Sequence, residues 1–379
     1  MRCRTIHFAL ALIVASCCMS AGCQQAKIEV APPEPTPSSA LQRGIDWLVK
    51  QQAADGGWHS STYGGMRDGA GNTALVLYAL AHVRDLREGE HRAAFDSGLK
   101  FLVQQLEPSG AVRAGDQPAD YPNYATSLTL TAMHRAGITD WPDERQRMVR
   151  YLQQAQLTVA RGYSADFIEL GGWNHAGGGP ASEIRDGETN ISVTSFALEA
   201  LAVHDALSPE SRAAALGYLT RCQNLGPGTT NDGGFYFTPI KDDPRNKEGQ
   251  TTLADGRRVP QSYRSTTADG WCGLLACGLS RDAPRYAAAI QWLESNGPVH
   301  EIFIHSEQDE LVVKQRESMW FYYHTVLPRL GMRNAAAMES LLKRQHADGS
   351  WRNASALMRE DDPLIATSFA IIILAGSKD

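Results

Sequence analysis

Apolar and polar residues along this chain fall into two helical patterns that take turns. One kind of segment is apolar on one face and charged on the other, as in Leu99-Lys100-Phe101-Leu102-Val103-Gln104-Gln105. The other opens on small or hydroxyl residues and is then apolar nearly all round. Examples are Thr73-Ala74-Leu75-Val76-Leu77, Thr126-Ser127-Leu128-Thr129-Leu130, Thr194-Ser195-Phe196-Ala197-Leu198 and Thr367-Ser368-Phe369-Ala370-Ile371. A helix that is hydrophobic on every side belongs inside, and an amphipathic one belongs outside. Asp269-Gly270-Trp271-Cys272-Gly273-Leu274 and Trp320-Phe321-Tyr322-Tyr323-His324-Thr325 supply two more inner segments, so the pattern predicts six outer and inner pairs.

The pairs are punctuated. Gln52-Ala53-Ala54-Asp55-Gly56-Gly57-Trp58 returns near the far end as Gln345-His346-Ala347-Asp348-Gly349-Ser350-Trp351. Aromatic-aliphatic pairs stand just upstream of the glutamine as Trp47-Leu48, Phe101-Leu102, Tyr151-Leu152 and Tyr218-Leu219, Trp292-Leu293 follows without its glutamine, and the glycine-aromatic ending survives as Gly172-Trp173 and Gly234-Phe235. The units recur roughly every 50 to 75 residues, which is the signature of a repeat architecture. In each unit the glycine permits the left-handed backbone at a helix end, the indole fills a wedge between helices, and the glutamine amide serves exposed carbonyls or the next helix's amides.

These Gln-x3-Gly-x-Trp units resemble the QW repeats of squalene and hopene cyclases, which share an α/α toroid with protein prenyltransferase β subunits. The resemblance covers residues 41–379 and implies an all-α fold, a double ring of about twelve helices (α6/α6). Two stretches break the rhythm: Gly162 to Gly187, rich in glycine, and Gln223 to Tyr263, which reads as one or two short β-hairpin insertions. At the ends of a toroid such loops either overhang the cavity or decorate its rim.

Residues 1–22 read as an export signal, with Arg2 and Arg4 before an apolar run and small residues leading to Cys23. The Ala-Gly-Cys ending resembles a bacterial lipoprotein box, which implies lipidation of Cys23 and anchorage at the cell envelope. Residues 23–40 then form a proline-rich tether. A formal net charge of −6 with no basic run excludes nucleic acid as a partner. Of seven cysteines, only Cys222, Cys272 and Cys277 fall in the repeat region, so no disulfide framework is expected.

Carboxylates recur where inner helices begin: Asp68, Asp120, Asp186, Glu188, Asp269, Glu317 and Glu360-Asp361-Asp362. Acids at helix starts are favoured by unpaired amides and the macrodipole, which accounts for most of them without any chemistry. Asp269 stands apart, because it falls within about a residue of the threonines that open the other inner helices.

Three functional readings compete. In the first, a cavity takes an apolar, isoprenoid-type ligand between aromatic faces that attract cations. Its lining would be Tyr121, Tyr124, Trp271, Trp320, Tyr322 and Tyr323, with Asp269, Asp361 and Asp362 as the candidate acids. The proton donor of the cyclases lies in an Asp-x-Asp-Asp motif, and this chain contains none. In the second, resemblance to the prenyltransferase β subunits implies a zinc-dependent transferase using Asp269, Cys272 and His324. Otherwise no cofactor is expected. The third is a non-catalytic envelope scaffold for a glycan or peptide. Thioester proteins share the topology, but their Gly-Cys-Gly-Glu-Gln is absent.

Overall fold

The computed structural model describes residues 36–83, 90–115, 121–175, 188–296, 314, 317–329, 335–356 and 358–376. The segment read as an export signal, Cys23 and most of the proline-rich stretch lie outside the described residues. Part of the stretch read as tether is helical, because the first helix starts at Pro37. Proline suits a first helical position, and Thr36 and Ser39 form a reciprocal capping box there.

Among the described residues there are twelve α-helices. The outer set is α1 (Pro37–Gln51), α3 (Glu90–Gln104), α5 (Pro142–Ala155), α7 (Pro209–Arg221), α9 (Pro284–Ser295) and α11 (Ala335–Lys343). The inner set is α2 (Ala70–Leu80), α4 (Pro122–Arg135), α6 (Ile191–Ala202), α8 (Arg264–Ala276), α10 (Trp320–Arg329) and α12 (Pro363–Gly376). Each inner helix packs on the next, and α12 returns to α2, so the inner ring closes. Outside it, α1 touches both α3 and α11. The inner helices are buried nearly all round, as α6 shows with only Glu199 and Ala202 escaping full burial. The second insertion carries the expected hairpin, Gln250–Thr252 paired antiparallel with Arg258–Pro260. No helix among the described residues is long and apolar enough to cross a membrane.

The repeated glutamines stitch the outer ring. Gln52 Nε2 donates to the Gly56 carbonyl of its own turn and to Ala94 O in the first turn of α3, both at 2.8 Å. Gln156 joins α5 to Ser211 O of α7, and Gln223 joins α7 to Arg285 O of α9. Gln345 reaches Ala40 O of α1 at 2.9 Å and so spans the meeting of last and first repeats. The amides serve carbonyls at both ends, and the next helix's amides are not their partners.

The tryptophans behave alike. Trp58, Trp173 and Trp351 are fully buried, and each indole N–H donates to a carbonyl in the last turns of the preceding outer helix: Leu48, Leu152 and Leu341 at 2.7–2.8 Å. Room for two of them is made by glycine. A Cβ at Gly98 would meet the Trp58 ring at 2.7 Å, and one at Gly44 would meet Trp351 at the same distance.

Candidate functional site

Five of the six inner helices share one bond near their starts. The hydroxyls of Thr73, Thr126, Thr194, Thr267 and Thr367 accept from the backbone N–H groups of Trp58, Val112, Trp173, Phe235 and Trp351, at 2.8–3.1 Å. This fixes a common register and corrects the one expected for Asp269. Thr267, not Asp269, is the counterpart of the other threonines. Asp269 lies two residues on, level with Leu75, Leu128, Phe196 and Phe369. Two residues are about 200° of helical turn, so when the threonine faces the frame, this position faces the centre.

All five of these central positions line a cavity of about 270 Å³. It sits where the inner helices begin, so the positive ends of their dipoles lie at that end. Four of the five positions are aliphatic or aromatic, and the fifth is a carboxylate with 1% exposure. Tyr322 of α10 donates its hydroxyl to both Asp269 oxygens, at 2.9 and 2.8 Å, and that hydroxyl also bonds Ser192 of α6. Three adjacent inner helices thus meet in one polar cluster within an apolar wall.

The two insertions and the turn before α12 complete the walls. Tyr121 and Tyr124 of the α4 start pack around His175 from the glycine-rich insertion, with ring centres 5.1 and 5.7 Å away. The second insertion contributes Phe237, Lys247 and Tyr263. Arg359 lies over Tyr121 at 5.4 Å and over Tyr63 at 5.3 Å. Both insertions therefore build the cavity wall.

Cations converge on this side. Burial, then Arg245, Lys247 and Arg359, lower His175 to about 4, so its imidazole is neutral near pH 7. Burial and Arg245 bring Lys247 down to about 8, with Asp269 and Asp243 pulling the other way. Its ammonium rests 4.2 Å from the centre of the Phe237 ring.

The expected lining divides cleanly. Tyr121, Tyr124 and Tyr322 face the cavity. Trp271 instead packs edge-on against Tyr286 of α9, at 5.3 Å. Trp320 stands between Arg344 and His324, each at 4.5 Å, and Tyr323 lies under Arg264 at 5.5 Å. The acids before α12 also turn away. Asp361 accepts the Tyr63 hydroxyl, and Asp362 caps α12 by accepting from Leu364 N at 2.9 Å and from the Ser60 hydroxyl. Glu360, fully buried, caps α10 through Phe321 N and Tyr322 N at 3.1 and 2.7 Å.

The zinc set is not brought together. Among the described residues, no three His, Cys, Asp or Glu side chains are grouped as a metal would need. His324 lies against the Trp320 and Tyr323 rings, where burial, Arg264 and Arg344 lower it to about 3. Cys222, Cys272 and Cys277 are buried, and none of the three forms a disulfide.

Comparison with solved structures decides the architecture. A variant of the type II terpene cyclase MstE from Scytonema, bound to its substrate geranylgeranyl dihydroxybenzoate, matches 90% of this chain and 97% of its own, with a TM-score of 0.54 and 15% identity. An α-1,6-mannanase of glycoside hydrolase family 76 from Salegentibacter matches 90% of this chain and 98% of its own, with a TM-score of 0.55 and 10% identity. The chain is an α/α toroid. Identities this low show the shared fold alone. Among curated proteins, thioester-containing protein 1 of Anopheles gambiae is 29% identical over 76 residues, 18% of this chain, which spans only 6% of that protein's length. No family model matches the chain.

Sequence reading missed Lys247, His175, Arg359 and Ser192. A signal existed for the central ring, since Thr194-Ser195-Phe196 and Thr367-Ser368-Phe369 repeat one pattern with an aromatic two residues past the threonine. Lys247 sits in an irregular polar run and carries no such signal.

Proposed function

We propose that the toroid binds an apolar, isoprenoid-type molecule in the cavity at the starts of its inner helices, with Asp269, Tyr322 and Ser192 meeting the ligand's polar end. The observation that carries this is the ring formed by Leu75, Leu128, Phe196 and Phe369 around that single cluster. Its volume of about 270 Å³ suits a short chain or one part of a longer one. The MstE structure holds an isoprenoid substrate in the same fold, which supports the ligand class. The chain holds no Asp-x-Asp-Asp donor, and the proposed role is binding.

The mannanase neighbour favours the glycan alternative. Against it, the ring of Leu75, Leu128, Phe196 and Phe369 offers apolar surface where a sugar needs hydrogen-bonding partners. We place the toroid at the bacterial envelope, held by a lipid on Cys23, where apolar molecules would reach it from the adjacent membrane.

Native mass spectrometry of the protein purified in the presence of membrane extract tests this reading. A retained apolar molecule is expected, and Leu75→Trp, which fills the cavity, should release it. An empty cavity, or retention of an oligosaccharide, would overturn the proposal.

A further inference from the structure

Lys247 is a cavity-lining cation that the binding reading leaves unused. It enters the apolar wall from the second insertion, and among the described residues its ammonium has neither a hydrogen bond nor a carboxylate within ion-pair distance. Its neighbour Arg245 is paired with Asp243 at 2.6 Å. Lys247 also lines an open cleft of about 420 Å³, together with Asp242, Asp243 and Arg258. Lys247 therefore borders both the apolar cavity and a cleft open to solvent.

A lysine with no carboxylate in direct contact, set in an apolar wall beside another cation, has its free amine populated and serves as a nucleophile toward carbonyl carbon. We infer that Lys247 is a covalent capture site, whose free amine forms an imine with an apolar aldehyde or ketone held in the cavity. This rests on the cavity being an apolar-ligand site, as proposed above.

The step balances without an oxidant or reductant. The Nζ lone pair attacks the carbonyl carbon to form a C–N bond, and an N–H proton passes to the carbonyl oxygen, giving a carbinolamine. Loss of that hydroxyl as water breaks the C–O bond and leaves the imine. The Tyr322 hydroxyl, bonded to both Asp269 and Ser192, is a proton relay for the departing hydroxide, and Asp269, which already acts on Lys247, balances the charge of a protonated imine. The lowered value of about 8 supports this role. Against an ordinary 10.5, it raises the free-amine fraction near neutral pH on the order of a hundredfold.

The test pairs citronellal, a short isoprenoid aldehyde, with its alcohol citronellol, using cyanoborohydride to reduce any imine and peptide mapping to find it. The expected product is one adduct on Lys247, heavier by one aldehyde less an oxygen atom, formed at least about tenfold faster than on other lysines, with a pH midpoint near 8. Lys247→Arg should abolish it, and citronellol should compete. Scattered labelling that Lys247→Arg leaves unchanged would overturn the inference. If citronellol binds but citronellal is not captured, the inference falls and the binding reading stands; if neither binds, both fall. Lys247-dependent binding of citronellyl phosphate without imine formation would make the lysine a charge anchor and also overturn the inference.

Discussion

Two positions near the start of five of the six inner helices lie two residues apart and obey opposite rules. The frame position is a threonine in α2, α4, α6, α8 and α12, always bonded to the N–H of the preceding loop. The lining position is Leu75, Leu128, Phe196, Asp269 and Phe369. Repetition at the first reflects a backbone demand that every unit shares, since a buried N–H left unpaired costs about 1–3 kcal/mol. Variation at the second reflects a ligand-sized space to which each unit contributes a different surface. The same division separates two sets of carboxylates: Glu360 and Asp362 serve the frame as caps, whereas Asp269 faces inward.

Changes to the frame should cost stability most. Trp351→Ala and Trp58→Ala each remove a fully buried indole and leave a void, which predicts a loss of about 3–5 kcal/mol in denaturant unfolding. A loss below about 1 kcal/mol would show that these rings are not wedges. Next comes an effect graded by pH. Burial pushes Glu360 up from 4.5 to about 8, against the opposing bonds from Tyr322 N and Asn353. The folded state then holds a proton that the unfolded chain has released, so this group's contribution makes stability fall as pH rises from about 4.5 to about 8, and level off above. Glu360→Gln should flatten that slope in melts taken across the range; an unchanged slope would remove Glu360 as its source. The smallest effect is expected in the lining. Asp269→Asn keeps an oxygen for the Tyr322 hydroxyl and should shift unfolding by less than about 1 kcal/mol, while lowering the pH midpoint of Lys247 labelling by removing an anion that raises it. A large loss of stability would place Asp269 in the frame and end the distinction.

The helix pairs were legible because inner helices buried on all sides write an unbroken apolar run, and because glutamine, glycine and tryptophan recur at each turn. The lining was legible only in part. α10 opens with four aromatic residues, Trp320 to Tyr323, and successive residues point about 100° apart, so only Tyr322 can face the centre. α8 offers Ser265, Thr266 and Thr267 in a row, and only the bond from Phe235 N singles out the residue that sets the register of Asp269. Lys247 and Arg359 reach the cavity from irregular segments, where no periodicity announces a direction. Gly44 and Gly98 carry their meaning in a contact with a distant indole, which composition cannot show.

The meeting of α12 with α2 has a temporal consequence. Gln345 bonds Ala40 across 305 residues, Trp351 rests on Gly44, and Ser60 and Tyr63 are bonded to Asp362 and Asp361. Joining so long a loop adds little entropy per extra residue, but pairings this remote form late. Ile365 and Phe369, part of the cavity wall, belong to that last-arriving helix. The ring is therefore complete only once its final repeat docks, and the cavity wall that α12 supplies arrives with that closure. Moving the cut to another loop, by circular permutation, would leave the finished ring the same and change only which wall comes last.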